Sequence, residues 1–461
     1  MPDSALMAEL EAALGADGLI AGPNLGARYE VDFSGENACA PAAVLRPGST
    51  AELAAALRAC AAARQPVVVQ GGMTGLCGGA TPQPDEIAIS LERLTGIEEL
   101  DRDSMTITVL AGTPLQAVQQ AAAAAGLSFP LDLGARGSCT IGGNIATNAG
   151  GNQVLRFGMM RNLVLGLEAV LADGTVLSSM NRLIKNNAGY DLKQLFIGSE
   201  GTLGIVTRAV LRLFPAMPAR TAAIVAVADF AGCVELLHSL QGRLGGALSS
   251  FEAMWASYFD CVIANVESLR SPFDEAYPLY VLVQSEGTDH SADRDRMETV
   301  LGDLLESGTV LDAAIAQSER ETGTFWQIRD GIAEITPLLQ PLVAFDVSVP
   351  IRDMPAFLDA VQRALNAAFP AVTNLVFGHV GDNNLHLTVT TGQDADIDRI
   401  SEIVYRETSA VGGSIAAEHG IGVARRDYLH LSRTAAEIDL MRKLKTALDP
   451  LGILNPNRVI P

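Results

Sequence analysis

The stretch GARGSCTIGGNIATNAGG, Gly134–Gly151, constrains this chain more than any other segment. It holds no carboxylate and is dominated by Gly, Ala, Ser, Thr and Asn. Such a run makes a poor hydrophobic core. It makes a good cradle, because small residues let a flat ring approach the backbone and no acid repels a diphosphate. A loop this long is uncommon inside a compact domain unless it is functional. A second glycine cluster, QGGMTGLCGG at Gln70–Gly79, follows the apolar run Pro66–Gln70, which reads as a short buried strand. Successive glycines let neighbouring N–H groups converge on one anion, and Thr74 adds a hydroxyl. No Lys follows at the Walker position and no GxGxxG fingerprint occurs. A nucleoside triphosphate with Mg²⁺ and a Rossmann NAD site are both disfavoured.

The 461 residues exceed one ordinary core and suggest two or three domains. With 48% hydrophobic and 18% charged residues the composition is globular. A formal net charge of -21 argues against nucleic acid and against an anionic membrane surface. It does not exclude an anionic substrate, because one Arg or metal ion overrides the global sign inside a site. The N-terminal residues are acidic and amphipathic, unlike a secretory signal, and no stretch reads as a transmembrane segment. Six scattered Cys with no CxxC pair suggest neither a disulfide framework nor a thiolate zinc site, so a cytoplasmic location is expected.

Ser49–Arg64 reads as a helix capped at Ser49 or Thr50, with Leu53, Ala56 and Leu57 on one face. Leu163–Leu177 reads as a β-hairpin turning at Asp173-Gly174, and Leu203–Leu213 as a strand. The pattern changes near Phe214-Pro215. Beyond it, strands such as Ala222–Val227 and Leu279–Val283 alternate with helical stretches such as Met354–Ala368. The expected class is α+β, with a first domain over 1–217 (core from about 38), a second over 218–430 and a C-terminal segment over 431–461.

FGHVGDNNLHL (Phe377–Leu387) places two His around turn-forming residues. If Asp382-Asn383 is a two-residue turn, His379 lies directly opposite His386, close enough to share a metal. AAEHGIG (Ala416–Gly422) adds Glu418 and His419. Two imidazoles and a carboxylate with open positions suit Zn²⁺, Mn²⁺ or Fe²⁺, and the spacing does not choose among them. A lone His is more often structural. Three of the six His fall in these two motifs, which favours a functional cluster.

Taken in order, Gln70–Gly79, Gly134–Gly151, Arg156-Phe157-Gly158, KNNAGYD (Lys185–Asp191) and GSEGTLGI (Gly198–Ile205) resemble the PCMH-type FAD-binding domain of the vanillyl-alcohol oxidase / p-cresol methylhydroxylase superfamily. The resemblance implies a pyrophosphate cradle at Gly71, Gly72, Thr74 and Gly75. It implies a flavin lined by Ser138, Gly143, Asn144 and Thr147, with adenine near Gly204 and the backbone of Ile205. No His precedes His238, so the FAD is expected to be non-covalent. Combined with the His/His/Glu motifs, the chain resembles the FAD-linked D-lactate and D-2-hydroxyglutarate dehydrogenases. That family's pattern implies metal ligands at His379, His386 and Glu418, with Zn²⁺ first and Mn²⁺ or Fe²⁺ as alternatives. It implies a general base at His419, substrate contacts at Arg329, Asn384 and His419, a C-terminal Asn455 that returns to the flavin domain, and a separate α+β substrate (cap) domain with an antiparallel sheet.

The implied reaction oxidises a D-2-hydroxy acid to the 2-oxo acid, with hydride passing to flavin N5. The electron acceptor (a quinone, an electron-transfer flavoprotein or a cytochrome) and a homodimer are left open. Where glutarate-type relatives place a hydroxyl residue and a Lys, this chain has Ala333 and Ala344. That shifts the expectation toward a monocarboxylate such as D-lactate. Another flavin oxidase or reductase of this fold, or a non-catalytic electron-transfer subunit, are the alternatives.

Overall fold

The computed structural model describes residues 3–461. The chain forms two compact units. One runs through Gly151, resumes at Gly158–Ala216 and takes in Glu418–Pro461. The other comprises Asn152–Phe157 and Met217–Ala417. The return to the first unit falls at Glu418, earlier than the boundary at 431 read from the sequence, and a six-residue piece beginning at Asn152 belongs to the second unit.

The first unit has two main sheets. β1 (Leu19–Ile20), β2 (Ala43–Leu45), β3 (Val67–Gln70) and β4 (Ile87–Ser90) form a four-stranded sheet in the order β1-β2-β4-β3, with β2 and β3 both parallel to β4. Parallel strands need a crossover, and the helix Thr50–Ala62 supplies one between β2 and β3. Ser49 caps that helix by accepting the Glu52 N–H, and Leu53, Ala56, Leu57 and Cys60 are buried along it. Buried on both faces, β2–β4 read as unbroken apolar runs, and Val44, Val68 and Ala88 pack with Tyr29.

The second sheet is antiparallel. β5 (Ile97–Asp101), β6 (Thr106–Leu110), β8 (Val164–Val170), β9 (Val176–Ser179) and β10 (Ile205–Arg212) take the order β5-β6-β10-β8-β9. β7 (Leu127–Ser128) pairs with β11 (Phe214–Pro215). The β8–β9 hairpin turns at Asp173-Gly174, where Gly174 has φ +79° and a Cβ would lie 2.5 Å from the Ala54 carbonyl oxygen. The C-terminal segment is sewn to β3 by a parallel bridge from Val67 to Leu454. Lys445 Nζ ties it further by donating to the carbonyls of Thr202 and Leu454 and to the Asp449 carboxylate.

The second unit is built on one seven-stranded antiparallel sheet. Its strands are β12 (Ala219–Val227), β13 (Leu248–Trp255), β14 (Leu279–Gly287), β15 (Asp312–Ile315), β16 (Val343–Ser348), β17 (Thr373–Gly378) and β18 (Asn384–Thr390), in the order β15-β12-β14-β13-β17-β18-β16. Alternation puts Ala222, Ile224, Ala226, Met254, Tyr280 and Leu282 on one face. They form a core with Tyr258, Phe259 and Val262 of the helix Ala256–Asn265 and Phe325 and Ile328 of the helix Glu319–Asp330. Among the described residues, no helix is long and apolar enough to cross a membrane.

Candidate active site

In the first unit, both glycine clusters line one cavity of about 360 Å³. Gly71, Gly72, Thr74 and Gly75 line it together with Gly143, Asn144, Thr147, Gly204, Ile205 and Asn455. The backbone N–H groups of Gly72, Met73, Thr74 and Gly75 have no hydrogen-bond acceptor among the described residues. Four such donors in a row fit a diphosphate. Thr140 Oγ1 is likewise buried on this cavity wall without a partner. The two loops meet closely: a Cβ on Gly72 would sit 2.1 Å from the Ser138 carbonyl oxygen. These features fit the pyrophosphate end of FAD.

The expected residues differ in how they serve the cavity. Ser138 is not on its wall. The turn bonding Ser138 N and Cys139 N to the Ala135 carbonyl aims the Ser138 carbonyl at Gly72 and leaves Cys139 and Thr140 facing the cavity. The Thr147 hydroxyl donates to the Gly143 carbonyl at 3.1 Å. Asn455 is a staple: its Oδ1 accepts from Val69 N–H at 2.8 Å, and its Nδ2 donates to the Glu200 carbonyl at 2.6 Å. Cys77 and Cys139 both line the cavity. Burial pushes the Cys139 thiol up, which makes it a poor nucleophile at neutral pH. Glu418 and His419 also line this cavity, and Cys77 Sγ approaches the His419 carbonyl at 2.8 Å.

In the second unit, the His379–His386 hairpin differs from the expected two-residue turn. β17 and β18 pair with Phe377 opposite His386, so the register is shifted and His379 opens a longer loop. Asn384 N–H bonds back to the His379 carbonyl at 3.1 Å, and Asn383 takes the left-handed conformation at φ +75° that Asn tolerates. Gly378 permits the narrowing, since a Cβ there would lie 2.5 Å from the Asn384 carbonyl oxygen. The two imidazoles still meet edge to face, with centroids 5.3 Å apart and one ring nitrogen of each within 4.8 Å of the other. Asn384 is buried, and neither its Oδ1 nor its Nδ2 has a partner. A buried amide left with all its polar capacity unmet is costly in an interior and is expected at a ligand site.

Sequence reasoning missed Glu252 and Asp346. β13 pairs with β17 so that Ala253 faces Gly378, which brings Glu252 beside His379 one step further on. Glu252 Oε1 lies 2.7 Å from His379 Nδ1, and its Oε2 accepts from Arg329 Nε at 2.8 Å. Arg329 Nη2 lies 3.0 Å from His379 Nε2. Arg329 is therefore a buried member of a three-residue network and not a helix-surface ion pair. Burial pushes the Glu252 carboxyl up, but the charges and hydrogen bonds of His379 and Arg329 outweigh it and hold the pKa down at about 2. Asp346 lies opposite His386 across β16 and β18, with an oxygen 3.9 Å from His386 Nδ1. The sequence signal for Glu252 was a lone acid among the apolar and Ser residues of a strand, LSSFEAMW.

The segment after the helix Ile397–Ala410 runs along β16. Ser414 bridges to Ser348, and Ala417 N–H donates to the Asp346 carbonyl at 3.1 Å. Glu418 follows by one peptide bond.

Comparison with known proteins agrees with this architecture. Residues 216–459 match the family described as FAD linked oxidases, C-terminal domain, and residues 41–179 match the FAD binding domain family. A D-2-hydroxyglutarate dehydrogenase of Xanthomonas citri pv. viticola is 40% identical, over 91% of this chain and 89% of its own. One of Stutzerimonas stutzeri is 34% identical over 100% and 99%. A mitochondrial one of Arabidopsis thaliana is 38% identical over 91% and 75%. Among solved structures, p-cresol methylhydroxylase with substrate bound has TM-score 0.77 at 16% identity, covering 99% of this chain and 96% of its own, so the fold is of the PCMH type. The chain belongs to the FAD-linked oxidase family, the same family as the curated D-2-hydroxyglutarate dehydrogenases it matches.

Proposed function

We propose that this protein oxidises a D-2-hydroxy acid to the 2-oxo acid, using FAD and a divalent metal held by His379, His386 and Glu418. The observation that carries the reading is the facing pair of imidazoles with the unpartnered amide of Asn384 beside them on the hairpin. Connectivity supports Glu418 as the third ligand, because Ala417 is already hydrogen-bonded to Asp346, the residue opposite His386. With Nδ1 donating to Glu252, His379 Nε2 is the ring nitrogen with a lone pair; it faces Arg329 Nη2 at 3.0 Å, a contact that a bound metal would replace.

When bound, FAD supplies a hydride acceptor and a chelated divalent ion lowers the pKa of the substrate hydroxyl. His419 takes the hydroxyl proton. Arg329, held by Glu252 at Nε and facing His379 through Nη2, offers the substrate carboxylate its Nη1, which meets Asp330 only at a long 3.4 Å. Asn384 orients the substrate through its amide. With Ala344 exposed beside Asp346 on β16, no second cation stands at that point of the sheet, which favours a monocarboxylate of small or apolar side chain. The names of the relatives favour D-2-hydroxyglutarate as a second reading.

The test is anaerobic bleaching of the flavin absorption band by a panel of D- and L-2-hydroxy acids that includes D-lactate and D-2-hydroxyglutarate. The expected outcome is bleaching by D-acids, fastest with a monocarboxylate. Bleaching by L-acids alone, or by none, overturns the proposal.

A further inference from the structure

Glu200 is a half-buried carboxylate in the GSEGT turn of the first unit, on the lining of the cavity and held at φ +50°. Its two oxygens are aimed at one short loop. Oε1 accepts from Ile421 N–H at 2.7 Å, and Oε2 accepts from Gly422 N–H at 2.8 Å. These amides lie just beyond His419. The same loop is gripped elsewhere. Cys77 Sγ approaches the His419 carbonyl at 2.8 Å, and Arg425 Nη1 donates to the Gly420 carbonyl at 2.7 Å. Val423 and Ala424 donate to the Cys77 carbonyl at 2.9 and 3.1 Å, and Val459 donates to the Gly422 carbonyl at 2.9 Å.

The glycines of HGIG follow from this grip. Gly420 and Gly422 have φ +83° and +53°. A Cβ on Gly420 would meet Glu200 Oε1 at 2.7 Å, and one on Gly422 would meet the Cys77 carbonyl oxygen at 2.2 Å. Burial pushes the Glu200 carboxyl up, while the two N–H bonds and the charge of Arg425 pull the other way. A carboxylate is a costly residue to bury for packing alone. Two amides converging on its two oxygens make a directional anchor that a neutral side chain of the same size cannot match, because Gln has only one acceptor oxygen.

We propose that Glu200 is a positioning residue whose carboxylate fixes the Glu418–Gly422 loop and thereby sets where the His419 imidazole stands in the flavin cavity. This rests on the reading of His419 as the base. The test uses FAD-loaded protein carrying Glu200→Gln or Glu200→Ala. The rate of anaerobic flavin reduction should fall about tenfold for Gln and about a hundredfold for Ala, with KM and flavin content near wild type. Hydrogen exchange followed by mass spectrometry should show the Ile421 and Gly422 amides opening while β10 stays protected.

An Ala variant that keeps its flavin and reduces it at the wild-type rate overturns the proposal. So does one in which rate, KM and flavin content decline together. If Ala loses protection across β10, the isosteric Gln variant decides by the same readings. If the wild type is bleached by no 2-hydroxy acid, the functional reading fails, while the exchange of Ile421 and Gly422 still decides whether Glu200 anchors the loop.

Discussion

Glu252 shows how much one side chain can organise. Its carboxylate is shared between His379 and Arg329, and all three are buried. Removing one partner of such a network strands the others, so Glu252→Ala should destabilise the protein by about 3–5 kcal/mol in urea unfolding. Its folded pKa of about 2 lies below the ordinary 4.5. The stabilisation is therefore present in full above about pH 4.5 and is lost as the pH falls toward 2. The gap in urea midpoint between wild type and the variant should narrow over that range. The variant should also hold Zn²⁺ about 10–100-fold more weakly in chelator competition, since the His379 ring loses its orienting partner. Ala344 is a second informative position, opposite Thr388 and on the same face as Asp346. Ala344→Lys should raise kcat/KM for D-2-hydroxyglutarate relative to D-lactate about tenfold, the worth of one added charge contact of roughly 1.4 kcal/mol.

At the scale of elements, periodicity gave the helices Thr50–Ala62 and Met354–Ala368 and the strand cores directly, because burial of one face is written locally. The β17–β18 hairpin was harder. Asp382-Asn383 looks like a two-residue turn, yet the chain makes a tighter helical turn first and pairs Phe377 with His386. Turn residues announce a reversal but not its length, and a register is settled by which side chains the sheet can bury. Phe377 packs against Tyr258 with ring centroids 4.3 Å apart, a contact that sequence spacing does not reveal. The glycine loops are the other critical elements. Gly72→Ala forces its Cβ toward the Ser138 carbonyl. Flavin affinity should fall at least about tenfold, as read by fluorescence titration of the apoprotein.

At the scale of the whole molecule, treatment with a strong chelator should abolish flavin reduction by D-2-hydroxy acids, and added Zn²⁺ or Mn²⁺ should restore it. Flavin absorbance should remain unchanged throughout, because the backbone N–H donors of Gly72–Gly75 that fit the diphosphate are not metal ligands. The sequence by itself determined the α+β class, the two glycine-rich loops and the His and Glu motifs. Each of these is written in local composition: small residues where a ligand must approach, apolar alternation where a strand is buried, and clustered titratable residues where chemistry is concentrated. Only the tertiary structure decided the partners of those residues. It placed Glu252 beside His379, Glu200 under the loop that carries His419, and Asn455 between β3 and the GSEGT turn. Such pairings join positions far apart in the chain. No local pattern encodes them, because strand order and register arise from the burial of the molecule's whole apolar surface at once.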